Sequence, residues 1–156
     1  MEDGQGGKTP GAPMHQGLDI VALSQLDTLL GKAQKVLLKC NTLFPFDPFP
    51  NTLIIDYNKV DIIYRHFVAT SQTVSVPIAR INHVTVDAVA FLATLKIEVK
   101  GMDKNPAPLM YLKAHDAHLA KNLLLGLVGA HAHGIDLSRL EGKAVIDKLV
   151  EIGRSV

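Results

Sequence analysis

Residues 52–113 read TLIIDYNKVDIIYRHFVATSQTVSVPIARINHVTVDAVAFLATLKIEVKGMDKNPAPLMYLK, and this stretch decides the fold. Short segments with the period of a β-strand follow one another here with almost no gap. The clearest segment places Leu95, Ile97 and Val99 on one face and polar residues between them. Successive side chains of a strand point to opposite faces. The stretch therefore predicts a bent antiparallel sheet or barrel of six or seven strands with one dry face.

Two helices are predicted after the sheet. The first carries an apolar stripe that would close the open end of the sheet, made of Leu119, Leu123, Leu124, Leu127 and Val128. Asp116 is its predicted N-cap, and Gly134 is predicted to end it. A second, shorter helix is expected to end before Gly153, and the glycines outside the N-terminal tail are predicted at helix ends and turns. The predicted fold class is therefore α+β.

An amphipathic helix is predicted before the sheet, at residues 18–40. Its apolar face has residues at alternating spacings of three and four, namely Leu23, Leu26, Leu30, Ala33, Leu37 and Cys40. We favour docking of this face on its own domain. The alternatives are self-association as a short coiled coil and binding to a membrane surface. Cys40 is expected to be a buried, inert thiol.

Prolines hold residues 41–51, NTLFPFDPFPN, in an extended connector. Phe44, Phe46 and Phe49 lie in it and are three of the five phenylalanines of the chain. We expect these rings to lie across the sheet and fill the edge of the core, because large exposed apolar patches are unusual in monomers. The alternative is an exposed aromatic patch that binds a partner.

Composition limits the classes of function. The 156 residues, 47% hydrophobic and 20% charged, suit one compact domain with tails. Sixteen basic and fifteen acidic residues produce no field that would attract nucleic acid, so we expect no nucleic-acid partner. A single cysteine cannot form an internal disulfide, and no signal peptide or membrane span is visible, which favours a cytoplasmic protein. Residues 1–17, rich in Gly, Pro and polar side chains, predict a disordered tail.

The sequence contains no recognisable pattern for catalysis or for metal or cofactor binding. Among its seven histidines, His115 and His118 could share a helix face, but His131 and His133 are two residues apart and no carboxylate or cysteine completes a ligand set. A GxSxG elbow, a P-loop and a GxGxxG motif are all absent from the sequence. We therefore expect no enzyme activity and assign no catalytic, metal or cofactor-binding residue.

Residues 62–99 resemble the bacterial pleckstrin-homology-like (PH-like) domains. The motifs that carry this resemblance are Tyr64-Arg65, Val76-Pro77-Ile78, Arg80-Ile81 and Thr94-Leu95-Lys96-Ile97. In organisation the resemblance extends over residues 52–134, because the family closes strongly bent antiparallel sheets with one C-terminal helix. It implies a scaffold or interaction domain without intrinsic catalysis, often attached to membrane segments or assembled into oligomers.

Lipid-binding relatives gather several basic residues around the first hairpin. Here the first turn offers only Lys59, with Asp56 and Asp61 beside it. Because cations must outnumber nearby anions to hold a polyphosphate, phosphoinositide binding is not favoured.

The sequence thus predicts four segments: a tail (1–17), a helix with the Phe/Pro-rich connector (18–50), a PH-like domain (51–134) and a helical extension (135–156). The expected function is a non-catalytic interaction or assembly domain of the bacterial cytoplasm, which self-associates or binds a protein partner. The expected interaction surface consists of Leu23, Leu26, Leu30, Leu37, Phe44, Phe46 and Phe49. The alternatives are a peripheral membrane-binding module and a small-ligand-binding protein or enzyme.

Overall fold

The computed structural model describes residues 20–26, 35–137, 140 and 142–156. The chain forms two compact units, Met1–Lys32 and Ala33–Val156. In the first unit residues 20–26 form helix α1, on which Leu23 and Leu26 are exposed. The predicted tail and Leu30 lie outside the described residues.

The second unit contains two antiparallel sheets. Within its described residues the strands are β1 (Val36–Asn41), β2 (Thr52–Asp56), β3 (Lys59–Phe67), β4 (Thr70–Pro77), β5 (Ile81–Val89), β6 (Leu92–Val99) and β7 (Leu109–Lys113). The first four form one sheet in the order β1-β2-β3-β4, and the last three form the second in the order β5-β6-β7. A 3-10 turn at Ile78–Arg80 joins the two sheets. Neighbouring strands are thus also consecutive in sequence, as hairpin connections require.

Helix α2 (Ala114–Ala132) follows the last strand, and helix α3 (Lys143–Ser155) packs against α2. The predicted leucine stripe of α2 faces the core, since Leu123, Leu124 and Leu127 have no exposed surface. They pack with the inward faces of both sheets in one continuous core. The predicted α+β class is confirmed: antiparallel sheets of four and three strands are closed by a C-terminal helix, the arrangement implied by the resemblance to PH-like domains. No described helix is both long and apolar enough to cross a bilayer.

The prediction that the first helix continues to Cys40 is wrong. Residues 36–41 form β1, which pairs with β2 so that Cys40 lies opposite Leu53. A spacing of three residues between Leu37 and Cys40 fits a helix face, but it also occurs in a strand that buries one residue of each face. Leu37 is partly buried and Cys40 is buried. Residues 36–41 are a strand because β2 offers them hydrogen-bond partners. The spacing of apolar residues within the segment does not reveal such a partner.

The predicted role of glycines at helix ends is wrong for two of them. Gly126 and Gly153 lie inside α2 and α3, where the helices cross. A Cβ on Gly126 would overlap the backbone of Leu149, and one on Gly153 would overlap the backbone of Asn122. These glycines therefore allow the helix backbones to touch. The helix ends also differ from prediction: α2 begins at Ala114, with Asp116 in its first turn, and α3 continues past Gly153 to Ser155.

Candidate functional site

The connector phenylalanines mark the most unusual surface of the molecule. Phe44 is 74% exposed and Phe46 47% exposed, while Phe49 is half-buried. The prediction that these rings fill the edge of the core is therefore wrong for Phe44 and Phe46. The other predicted surface residues lie elsewhere: Leu37 packs on the core, and Leu23 and Leu26 belong to α1.

Asp47 fixes the conformation of the connector. Its Oδ2 accepts hydrogen bonds from Thr42 Oγ1 at 2.6 Å and Asn51 Nδ2 at 3.0 Å, and its Oδ1 accepts one from the Phe49 amide at 3.2 Å. The Asn51 amide donates to Thr42 Oγ1 at 2.7 Å, which closes the loop. A carboxylate that accepts several bonds holds a short segment in one shape. The rings on either side of Asp47 are thus presented in fixed positions.

Two hairpin tips, one from each sheet, meet the connector. Phe67 begins the β3–β4 turn and stacks on Phe49 with 5.4 Å between ring centroids. Phe91 lies in the β5–β6 turn, and its ring centroid is 6.1 Å from that of Phe46. Both distances lie within the range of favourable aromatic pairs. The connector therefore joins the tips of the two sheets through ring contacts.

Tyr111 completes this group of rings from a β-bulge in β7. Ala93 pairs with Leu112 and Leu95 with Leu109, which leaves two residues of β7 opposite one of β6. Tyr111 has a φ of 63°, which is rare for a bulky side chain. The bulge turns its ring onto Phe46, with centroids 6.1 Å apart, and its carbonyl accepts the Leu43 amide at 2.8 Å. The strained residue therefore both anchors the connector and extends its aromatic face.

We refer to the six rings as the aromatic surface, which consists of Phe44, Phe46, Phe49, Phe67, Phe91 and Tyr111. All five phenylalanines of the chain belong to it, and none is in the buried core. Exposed aliphatic side chains lie beside it in the two turns and the bulge, namely Val68, Val89 and Met110. Exposed apolar side chains gathered in this way usually mark a binding surface.

The charges near the aromatic surface are few. Arg65 and His66 precede Phe67, and Lys113 lies opposite Leu92 at the base of the other tip; all three are exposed. Lys96 forms a salt bridge of 2.7 Å with Asp87 farther along β5 and β6. Apart from Asp47, whose half-buried carboxylate is held by hydrogen bonds inside the connector, the surface is apolar at its centre and weakly basic at its edge.

The structure does not bring the predicted metal candidates together. No group of three or more His, Cys, Asp or Glu side chains among the described residues could hold a metal ion. His131 instead contacts the Tyr57 carbonyl through Nε2 at 2.8 Å, and His133 contacts the Gly129 carbonyl through Nδ1 at 2.8 Å. Cys40 is buried as predicted, and burial raises its pKa to about 12.

Sequence reasoning missed Phe67, Phe91 and Tyr111 as members of the site. One signal was present: residues 89–92, VAFL, are four apolar residues around what the structure shows to be the β5–β6 turn, where polar residues are usual. The bulge at Tyr111 had no comparable signal, because the bulged segment LMYLK has the composition of an ordinary strand.

Comparison of the sequence with protein-family models gave no match, and neither did comparison with curated proteins. Among solved structures, the chain is similar to a DUF1696 family protein with a pleckstrin-homology domain from Shewanella loihica PV-4. The two are 17% identical, the alignment covers 79% of this chain and 97% of that one, and the TM-score is 0.39. The fold of this chain is therefore described by its own strand order and closing helix.

Proposed function

We propose that this protein is a non-catalytic interaction domain that binds an apolar segment of a protein partner through the aromatic surface. The observation that carries the proposal is the position of the phenylalanines, all five of which lie outside the core. Burying such a ring is worth roughly 1.5–3 kcal/mol. A chain that leaves every phenylalanine outside its core gains this energy in full only when something covers the rings.

The construction of the surface supports this role. Aromatic residues dominate the binding energy of many protein interfaces. The Asp47 hydrogen bonds and the Tyr111 bulge fix the rings before any partner arrives, which lowers the entropy lost on binding. The strand order and closing helix support placing the domain among the bacterial PH-like domains. The single cysteine, which cannot form an internal disulfide, supports a cytoplasmic setting.

Selection of peptides from a random displayed library tests the proposal directly. The full chain should enrich peptides rich in aromatic and aliphatic residues, and fluorescence anisotropy should give their Kd. The Phe46→Ser substitution removes the ring that contacts both Phe91 and Tyr111, so Kd should rise at least about tenfold.

The matched control is Ile135→Ser, because Ile135 is 51% exposed after α2 and is not part of the aromatic surface. Peptide affinity should not change in this variant. Selected peptides that bind the Phe46→Ser protein as tightly as the unmodified chain would contradict the proposal.

A peripheral membrane role is the second candidate, and the turn residues favour it. Val68 is 91% exposed and Val89 79% exposed at the two tips, with Arg65 and Lys113 nearby. Apolar tips with basic neighbours can enter the headgroup region of an anionic bilayer. Sedimentation with phosphatidylcholine vesicles containing phosphatidylglycerol tests this role: it predicts salt-sensitive binding that Phe91→Ser weakens, whereas a protein-binding surface predicts no sedimentation with vesicles.

A further inference from the structure

Strand β4 leaves one side of the four-stranded sheet open. It lies at the end of the strand order and pairs with β3 on its other side. No backbone hydrogen bond joins residues 70–77 to any described segment other than β3. Residues 70–73 and Ser75 are exposed, and Val74 is half-buried. The open side therefore presents a row of unpaired amide and carbonyl groups.

The other three edge strands of the two sheets are protected, but β4 is not. β1 carries Lys39 and an irregular register near Val36, the connector bonds to β7, and α2 packs against β5. Residues 70–76, TSQTVSV, contain no charged residue and no proline. Their register with β3 is regular from Ser71 to Pro77. Between the register irregularity opposite Thr70 and Pro77 at the other end, the edge carries no charge, and an uncharged edge is the kind that pairs with another strand.

We propose that two copies of this chain pair through β4 in antiparallel orientation, with Thr73 opposite Thr73 on the two-fold axis. Thr73 is the midpoint of the uncharged run 70–76. This register places Ser71 opposite Ser75 of the second copy and Gln72 opposite its Val74. The residue pairs between the two β4 strands are small or uncharged, and threonine pairs are favourable across antiparallel strands. The same patch serves both copies, as a two-fold interface requires.

The charges on the next strand are compatible with this orientation. Within one copy Arg65 lies opposite Ser71, and Asp61 lies opposite Ser75 and accepts a hydrogen bond from its hydroxyl. In the proposed register Arg65 shares a row with Asp61 of the second copy, about 14 Å away across three strand spacings. Asp61 also forms a salt bridge with Lys59, which is two residues earlier on β3.

Disulfide cross-linking of the full chain tests both the pairing and its register. Opposite residues of antiparallel strands have Cα atoms about 4.5–5.5 Å apart, a distance that a disulfide spans. The Thr73→Cys protein should form a covalent dimer under mild oxidation. Cys40 should not interfere, because it is buried.

Two further variants serve as register controls. Ser71→Cys and Ser75→Cys should each fail to cross-link alone, since each residue lies about 13 Å from its own copy in this register. A mixture of these two proteins should cross-link. A Thr73→Cys protein that stays monomeric would overturn the proposal, as would equal cross-linking by all three single variants.

A charge substitution gives an independent measurement. Thr73→Lys places two cations on the two-fold axis, so sedimentation equilibrium should show a dimer dissociation constant at least about tenfold higher. The control is Thr94→Lys, which adds the same charge to the other sheet opposite Asp87 and should leave the constant unchanged. A dimer that is indifferent to Thr73→Lys, or an unmodified chain that is monomeric, would overturn the pairing. Phe46→Ser should not affect cross-linking, so this result is separate from that of the aromatic surface.

Discussion

Cys40 illustrates how its surroundings set the chemistry of a single side chain. It is 5% exposed, and burial, with a smaller contribution from the charge of Asp116, raises its pKa from 9.0 to about 12. The thiolate is the reactive form of cysteine. We expect folded protein at pH 8 to react with a disulfide reagent such as DTNB at least about tenfold more slowly than denatured protein, which the rate of absorbance change measures. Equal rates in the two states would contradict the burial of this thiol.

The same thiol makes stability depend on alkaline pH. Its pKa is raised in the folded state, so its contribution is fully present below pH 9 and is lost as the pH rises toward 12. Burial also raises the pKa of Tyr64 to about 12, which acts in the same direction. Urea titrations between pH 9 and pH 12 should show a falling free energy of unfolding. The Cys40→Ala protein should show a shallower fall, whatever its stability at pH 7.

The backbone of the β5–β6 turn is strained at Ala90. It is exposed, and its φ is 55°, in a region that costs a non-glycine residue about 1 kcal/mol. Ala90→Gly should therefore raise the free energy of unfolding by about 1 kcal/mol, measured by urea denaturation. Ala69→Gly is the matched control in the other tip, because Ala69 has no positive φ. That change should lower stability by several tenths of a kcal/mol, since glycine gains entropy in the unfolded chain.

At the scale of elements, the crossing of α2 and α3 depends on two glycines. The Cβ of Gly126→Ala would overlap the Leu149 carbonyl group, so the helices would have to separate. We expect a loss of about 2 kcal/mol in the free energy of unfolding. In Gly129→Ala the added Cβ would lie 3.6 Å from Ile152 Cγ2, an ordinary contact, and stability should rise by up to about 1 kcal/mol. Equal effects of the two changes in urea denaturation would contradict the close crossing.

One carboxylate accepts several of the hydrogen bonds that hold the connector. Asp47→Ala removes the acceptor of three hydrogen bonds, one of them from the buried Thr42 hydroxyl. Leaving such a donor unpaired costs about 1–3 kcal/mol, which a urea titration would measure. The loss should also weaken peptide binding by the aromatic surface, because the rings would no longer be fixed. Peptide binding unchanged in Asp47→Ala would show that the rings hold their positions without this residue.

At the scale of the whole molecule, the second unit, Ala33–Val156, should fold by itself. All residues of its core lie between Leu37 and Val150 among the described positions. Deleting residues 1–32 should therefore preserve the cooperative unfolding transition, monitored by circular dichroism. The same truncation tests the predicted role of Leu23, Leu26 and Leu30 in self-association. A fall in the number of chains per particle on truncation would support that role, whereas β4 pairing predicts that this number does not change.

The sequence alone determined the α+β class, the antiparallel strands after residue 52 and the leucine stripe of α2, because each depends on a period that neighbouring residues set. Tertiary structure decided the rest. β1 is a strand because β2 offers it hydrogen-bond partners, and Gly126 and Gly153 are small because two helices meet there. The aromatic surface joins four segments distant in sequence. Whether a ring is buried depends on what the fold places over it, and local pattern carries no information about that.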